Sequence, residues 1–328
     1  MNNAVEQTRL PSSELTNRAD ASARITVRAH ELGFQKVGIT RAENLSTEQS
    51  RLEEWLHRGY QGEMNWMARD PAQRADPRRL FPEARSVIVV ALNYYTPHQH
   101  ANSSATGKVS RYAWGDDYHE VVGNKLRELL SWIKQQWPEA NGKVCVDIQP
   151  TMDKAWAARG GLGWIGKHTN LITPEYGSWV FLGELLLNFE LEYEDEEVAD
   201  QCGSCTLCID ACPTSAIAEP YVVDSNLCIS HATIESRAPE IDEKVATKLE
   251  GWLYGCDICQ DVCPWNQTAP ATSEPRFEPR AGTVNASLSE IFELKPETYA
   301  ARFRHSAMKR AKLSGLQRNV RALLHNRG

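Results

Sequence analysis

The chain has 328 residues, 41% hydrophobic and 24% charged, which is the composition of a folded soluble protein with room for two or three domains. Its formal charge of −7 excludes a uniformly basic nucleic-acid binder. No apolar run approaches the ~20 residues of a membrane-crossing helix, and the start, MNNAVEQTRLPSSELTNRAD, lacks the basic and then apolar regions of an export signal.

A first helix is expected from about Ala19 to Leu32, where Ile25, Ala29 and Leu32 recur at helical spacing and Gly33 supplies the stop. A short strand, Lys36 to Ile39, and a helical stretch around Glu48 to Arg58 follow. GYQGEMNWMARD (Gly59 to Asp70) then leads into a polar, Pro- and Arg-rich segment ending at Pro82. SVIVVAL (Ser86 to Leu92) reads as a buried strand, and the polar run His98 to Lys108 as a loop. From Asp117 to Trp137, Val122, Leu126, Leu129, Leu130 and Ile133 make one helix face. KVCVDI (Lys143 to Ile148) and WVFLGELLL (Trp179 to Leu187) are further strands, the second with a bend expected at Gly183. Strands alternating with helices indicate an α/β domain over residues 1–195. The acidic run Glu190 to Asp200 reads as a linker.

The next stretch, QCGSCTLCIDACPTSAI, carries Cys202, Cys205, Cys208 and Cys212 in the spacing C-x2-C-x2-C-x3-C-P. This is the bacterial ferredoxin spacing for 4Fe–4S clusters, in which the Pro-linked cysteine ligates the other cluster. A second set is Cys228, Cys256, Cys259 and Cys263 followed by Pro264. The crossover rule assigns Cys202, Cys205, Cys208 and Cys263 to one cluster, and Cys212, Cys228, Cys256 and Cys259 to the other. Structural zinc uses pairs of C-x2-C but rarely three cysteines two apart before C-P. A disulfide framework belongs to small secreted chains. A ferredoxin-like domain over residues 196–268 results, and oxygen-sensitive clusters suit a reducing, cytoplasmic setting. After a Pro-rich connection, Leu288 to Phe292, Pro296 to Phe303 and Leu316 to Leu324 read as helices of a tail over residues 269–328. From Ala301 to Gly328 the chain holds eight Lys and Arg and no Asp or Glu. That basic end suits either a polyanion or a solvated helix face.

Outside the cysteines, Gly161, Gly166 and Lys167 nearly form a phosphate-binding loop, but His168 stands where a Ser or Thr should bind magnesium and a helical segment precedes it. A turn lining a flat cofactor, or tight packing, fits better. DYHEVVG (Asp117 to Gly123) approaches a D-x-H-x-x-G cobalt-ligand signature, yet its glycine is one residue late and it opens a strong helix. His119 is therefore expected to be a cap or core histidine, with no protein imidazole under any bound cobalt. Asp147, at the end of KVCVDI, is either a general acid desolvated by a neighbouring cofactor or a turn cap. Cys145 alternates with valines as a small core residue.

The stretches GYQGEMNWMAR, SRYAWGDDYH, VDIQP, GLGWIGKHTNLI, GSWVFLGELL, CGSCTLCIDACPTSAI, CISHATIESR and YGCDICQDVCPWN, in that order, resemble the epoxyqueuosine reductase family from about residue 20 onward. The resemblance implies an α/β cobalamin-binding domain, a two-cluster ferredoxin-like domain and a helical tail that is a truncated HEAT-like repeat. It implies the reduction of epoxyqueuosine to queuosine in a tRNA anticodon loop, a two-electron conversion of an epoxide to an alkene with loss of water. Electrons would come from an external low-potential donor through both clusters to cobalamin, in a monomer without membrane attachment. The family's proton donor falls on Asp147 and its basic partner on Lys154, where relatives carry Arg. Cobalamin contacts fall on Ser110, Asp147, Lys154, the Lys167 to Leu171 turn, Ser230 and Asp257, and tRNA contacts on Lys309, Arg310, Lys312 and Arg318. Two other classes could use such parts: a corrinoid reductase acting on a small molecule, and a non-enzymatic electron-transfer ferredoxin. The first has no need of the basic tail, and the second none of the large N-terminal domain.

Overall fold

The computed structural model describes residues 18–193 and 196–325. The segment read for an export signal lies outside these apart from Arg18 to Asp20, as do Arg327 and part of the acidic linker. Among the described residues no helix is long and apolar enough to cross a membrane.

Helix α1 (Arg18–Glu31) buries Ala21, Ser22, Ile25 and Ala29 and ends at Gly33, whose φ of +94° reverses the chain at low steric cost. Strand β1 (Lys36–Arg41) follows, then α2 (Ser46–His57) and β2 (Ser86–Asn93), in which all eight residues are buried. Burial on both faces explains the unbroken apolar run in β2, which lies inside a four-stranded sheet. Its neighbours are β1 on one side and β5 (Val180–Leu187) on the other, and β4 (Gly142–Cys145) closes the far edge. Every pairing in this sheet is antiparallel. The expected alternation of strands and helices is present, but the α/β reading is corrected to α+β. The alternating pattern reports burial of the strands and is silent about their direction.

One face of the sheet carries α1 and α3 (Tyr118–Gln136), with Ile25, Leu126, Leu129 and Ile133 packed on Ile88, Val90 and Leu185. The other carries α4 (Asp153–Arg159), where Trp156 meets Val87, Cys145 and Leu186. The β5 ladder runs unbroken through Gly183, with no bend in register. A Cβ there would stand 2.8 Å from Leu126 Cδ1 and 2.9 Å from Val122 Cγ1, so the glycine admits the close approach of α3.

The expected loop at His98 to Lys108 ends in a strand, β3 (Thr106–Val109). It lies between β6 (Trp252–Tyr254, parallel) and β7 (Asn285–Ser287, antiparallel). Its alternation of half-buried Thr106 and Lys108 with buried Gly107 and Val109 is too short to stand out, and its partners lie far down the chain. This second sheet takes one strand from each of the three regions read from the sequence. Helices Leu288–Glu293, Pro296–Arg302 and α5 (Lys312–His325) follow as expected, with Leu316, Val320 and Leu323 buried in a core shared with Trp252, Leu253 and Tyr254.

Candidate functional site

The strand expected to reach Ile148 stops at Cys145, because Val146 N–H turns to Gln149 Oε1 and Asp147 adopts φ +54°. Asp147 thus sits in a left-handed turn past the strand. The turn aims Asp147 and the 73% exposed Ile148 into a cavity of about 1410 Å³. Pockets for small ligands run to roughly 1000 Å³, so this one has room for a large ligand together with part of a second.

Two neighbours at the start of α3 reach Asp147. The Tyr118 hydroxyl donates to its Oδ2, and His119 Nε2 lies 3.5 Å from the same oxygen. Asp117 caps α3 by accepting from His119 N–H, and its carboxylate also holds His119 Nδ1 at 2.7 Å. His119 is therefore a site residue as well as the donor to the cap. Burial disfavours its charge, but pairing with Asp117 and Asp147 outweighs burial and raises it to about 9. Burial pushes Asp147 up, yet the hydrogen bonds from His119 and Tyr118 win and hold it below the ordinary carboxylate value. The expected desolvated acid is thus an ionised carboxylate beside a charged imidazole. The Tyr118 ring, stacked on Phe181 at 4.4 Å, fixes the arrangement.

Lys154, in the first turn of α4, also lines the cavity and donates to Thr169 O at 3.1 Å and Asn170 Oδ1 at 2.8 Å. It thereby holds the turn between two short paired strands, Trp164–Ile165 and Leu171–Ile172. His168 in this turn is 4% exposed; its Nδ1 accepts from Asn170 N–H and its Nε2 has no partner. Burial lowers its pKa to about 4, so it is a neutral ring with an orphaned N–H.

His168 also borders a second cavity of about 280 Å³, lined by Cys202, Cys205, Cys208 and Cys263 together with Trp265. These are the four thiols that the crossover rule assigns to one cluster. The other four, Cys212, Cys228, Cys256 and Cys259, all line the large cavity. Helices Leu207–Asp210 and Ile258–Asp261 carry one cysteine each, Cys208 and Cys259, and Lys167 Nζ ties the first loop by donating to Gly203 O at 2.6 Å and Cys205 O at 2.9 Å. Among the described residues no three His, Cys, Asp or Glu side chains converge as one metal ion requires. Four thiols spread around each cavity fit a cubane cluster better than a tetrahedral zinc ion.

Of the expected cobalamin contacts, Ser110, Asp147, Lys154, Leu171 and Ser230 all line the large cavity. Asp257 does not. It is 2% exposed and lies behind the wall, accepting from the Ser110 hydroxyl and from Arg111 N–H at 2.7 Å. Apolar side chains of Ile148, Leu171, Phe181 and Ile258 and the orphaned His168 N–H give this cavity the mixed lining that a macrocycle with amide arms needs.

Lys309 and Arg310 stand at the cavity's edge and Lys312 is exposed nearby. Arg310 pairs with Glu235 at 2.7 Å, its guanidinium 5.0 Å from the centre of the Trp66 ring. Arg318 is different. At 4% exposure it donates to the carbonyls of Ala232, Ser236 and Ala238, so it is an internal strut and cannot meet a tRNA phosphate. Sequence reasoning placed it on the surface because basic residues usually are.

Residues 74–148 match the family described as "Epoxyqueuosine reductase QueG, DUF1730", and residues 201–266 match the "4Fe-4S double cluster binding domain". An epoxyqueuosine reductase from Synechocystis is 49% identical over 84% of this chain and 94% of its own length. That from Cellulophaga algicola is 46% identical over 90% and 95%. A crystal structure of an epoxyqueuosine reductase with a tRNA-Tyr epoxyqueuosine-modified stem loop superposes with a TM-score of 0.87 at 30% identity, covering 94% of this chain and 81% of that one. With that degree of likeness along nearly its whole length, this chain belongs to the epoxyqueuosine reductase family.

Proposed function

We propose that this protein reduces epoxyqueuosine to queuosine in the anticodon loop of tRNA, with two 4Fe–4S clusters and cobalamin as its cofactors. The observation that carries the reading is one cavity. It brings together the four thiols of one cluster set, the Asp147–His119 pair and the basic residues Lys309 and Arg310. Family membership supplies the substrate, and the fit of eight thiols to two separate cavities supports the clusters.

When bound, the clusters and the corrinoid supply low-potential single electrons, taken in turn from an external donor. Cys202, Cys205, Cys208 and Cys263 would hold the first cluster, and Cys212, Cys228, Cys256 and Cys259 the second. Ser110, Leu171, Ser230 and the Lys154-anchored turn would hold the corrinoid. The reaction breaks both C–O bonds of an epoxide, forms a C=C bond and releases oxygen as water, consuming two electrons and two protons. Asp147 faces the cavity and receives its proton from the charged His119 beside it, then passes it to the epoxide oxygen as the ring opens. The nearby wall of Phe181, Ile258 and Leu171 is apolar, so a bound corrinoid and substrate nucleotide filling the cavity would displace bulk water from that step. A loop nucleotide splayed from its stack can enter such a cavity, with Lys309 and Lys312 meeting backbone phosphates outside. We take the final helices as the start of a HEAT-like repeat that extends this grip, and the protein as a cytoplasmic monomer.

The test is anaerobic reconstitution with iron, sulfide and cobalamin, followed by metal analysis and then reductant with an epoxyqueuosine-modified stem loop. About eight irons and one corrinoid per chain, and queuosine in the nucleoside digest, support the reading. Eight irons with no corrinoid and no queuosine would replace it with an electron-transfer role.

A further inference from the structure

Glu184 lies in the middle of β5, between Leu182 and Leu186 on the face covered by α4, and is fully buried. Its strand neighbours are Val89 on β2 and Cys145 on β4. Neither carboxyl oxygen has a hydrogen-bonded N–H or O–H donor. The polar groups beside it are the carboxyl of Asp153, at the start of α4, and the hydroxyl of Thr151. Asp153 accepts from Thr151 Oγ1 at 2.6 Å, which spends the single proton of that hydroxyl. The charged or titratable groups around the pair are Asp147, Lys154, Arg74 and the Cys145 thiol.

A fully buried carboxylate without a donor is strongly disfavoured in its charged form, and two carboxylates in contact cannot both ionise. The contact stands only if one oxygen carries a hydrogen. Burial first, and then the charge of Asp153, push Glu184 well above the ordinary range; burial and then the charge of Asp147 push Asp153 up. The held proton is therefore at a fixed place, and one member of the pair, Asp153, forms part of the cavity wall with Asp147.

We propose that Glu184 and Asp153 share one proton as a buried acid pair and deliver it into the cavity as the second proton of the reaction. This rests on the reading of the cavity as a site of epoxide reduction. Opening the ring needs one proton on oxygen, giving a C–OH group. Losing that oxygen as water, as the C=C bond forms and the two electrons are taken up, needs another. Asp147 has one acidic position, already ionised by its pairing with His119. A second donor in the wall meets the demand without admitting bulk water. Asp153 is the outlet and Glu184 the store, recharged from solvent between turnovers.

The pair is tested in the full chain loaded with its cofactors. Difference infrared spectra at pH 7, wild type minus Glu184→Gln and wild type minus Asp153→Asn, are expected to contain the C=O stretch of a protonated carboxylic acid, which separates the pair from Asp257 and Asp261, two other carboxyls raised by burial. Glu184→Gln preserves shape and removes only the acid, so iron content, corrinoid content and stem-loop affinity should match the wild type. Its first-turnover rate should fall by roughly 10- to 100-fold, at or below the lower end for a direct acid catalyst because cavity water substitutes in part. A difference spectrum without the acid band overturns the proposal, and so does a Glu184→Gln rate equal to wild type. A wild-type enzyme with full cofactors that leaves epoxyqueuosine unreduced overturns the parent reading instead, and the delivery role with it.

Discussion

His119 Nε2 stands 3.5 Å from Asp147 Oδ2, although the two residues come from different elements and neither chain segment points to the other. Asp117 holds the far side of the ring, so the imidazole stays charged and keeps a proton directed at the carboxylate. Asp147→Asn keeps the Tyr118 contact but can no longer receive and pass on that proton. Its reduction rate should fall by about 10²- to 10⁴-fold, the usual range for a positioned acid, with iron and corrinoid unchanged. Full turnover by this variant would remove Asp147 from the chemistry.

The same pair sets a pH dependence. The folded value of His119 is about 9 against an ordinary 6.5, so its pairing contributes stability fully present below about 6.5 and lost as pH rises through about 9. Asp147 and Asp117 are shifted downward and add stability that is lost in acid. Between pH 6.5 and 9 the melting temperature of the wild type should therefore decline more than that of His119→Gln. Parallel curves for the two proteins would show that the ring carries no linked proton.

The cysteines yield a sharper test because sequence neighbours divide between cavities. Cys212 follows Cys208 closely yet lines the large cavity, and Cys263 follows Cys259 yet lines the small one. Cys263→Ala should thus lose the same cluster as Cys202→Ala, and Cys212→Ala the same as Cys256→Ala. Iron analysis and paramagnetic resonance of the reduced proteins distinguish the two losses. Identical spectra for Cys212→Ala and Cys202→Ala would contradict the assignment.

The division of the eight thiols between two cavities was legible in the sequence because cysteine spacing in a short loop is a local property. The long helix α3 and the buried strand β2 were legible for the same reason, since their apolar periods run unbroken. The Asp147 environment was not. Its turn depends on a bond from Val146 to Gln149 and its partners lie one helix back, at Tyr118 and His119. Glu184 is one acidic residue in an otherwise apolar strand, and its meaning comes only from Asp153 across the α4 packing. Arg318 was misplaced because charge composition does not show which face of α5 a basic residue occupies.

Arg318 accordingly makes a prediction about stability. Arg318→Ala removes the donor from the carbonyls of Ala232 and Ala238 inside the fold and leaves Ser236 O with only Arg237 Nη1 at 3.3 Å. Each buried polar group left unpaired costs about 1–3 kcal/mol, so chemical denaturation should show a loss of at least about 2 kcal/mol. Unchanged stability with weakened tRNA binding would return Arg318 to the surface role.

Lys309 and Lys312 make the complementary prediction. Both are exposed, and Lys309 lies at the cavity edge without a carboxylate partner among the ion pairs of the described residues. A lysine that meets a phosphate releases about one counterion, so each Lys→Ala change should lower the salt slope of stem-loop binding by about one. The loss of affinity should be much the same for modified and unmodified loops, because a phosphate contact reads no base. Melting temperature should not move, since neither ammonium braces the core. Arg310 differs in having Glu235 at 2.7 Å and the Trp66 ring beneath it, so Arg310→Ala should cost both binding and local order. Titrations at three salt concentrations decide the matter, and a slope unaltered by Lys309→Ala and Lys312→Ala together would place the tRNA backbone on another surface.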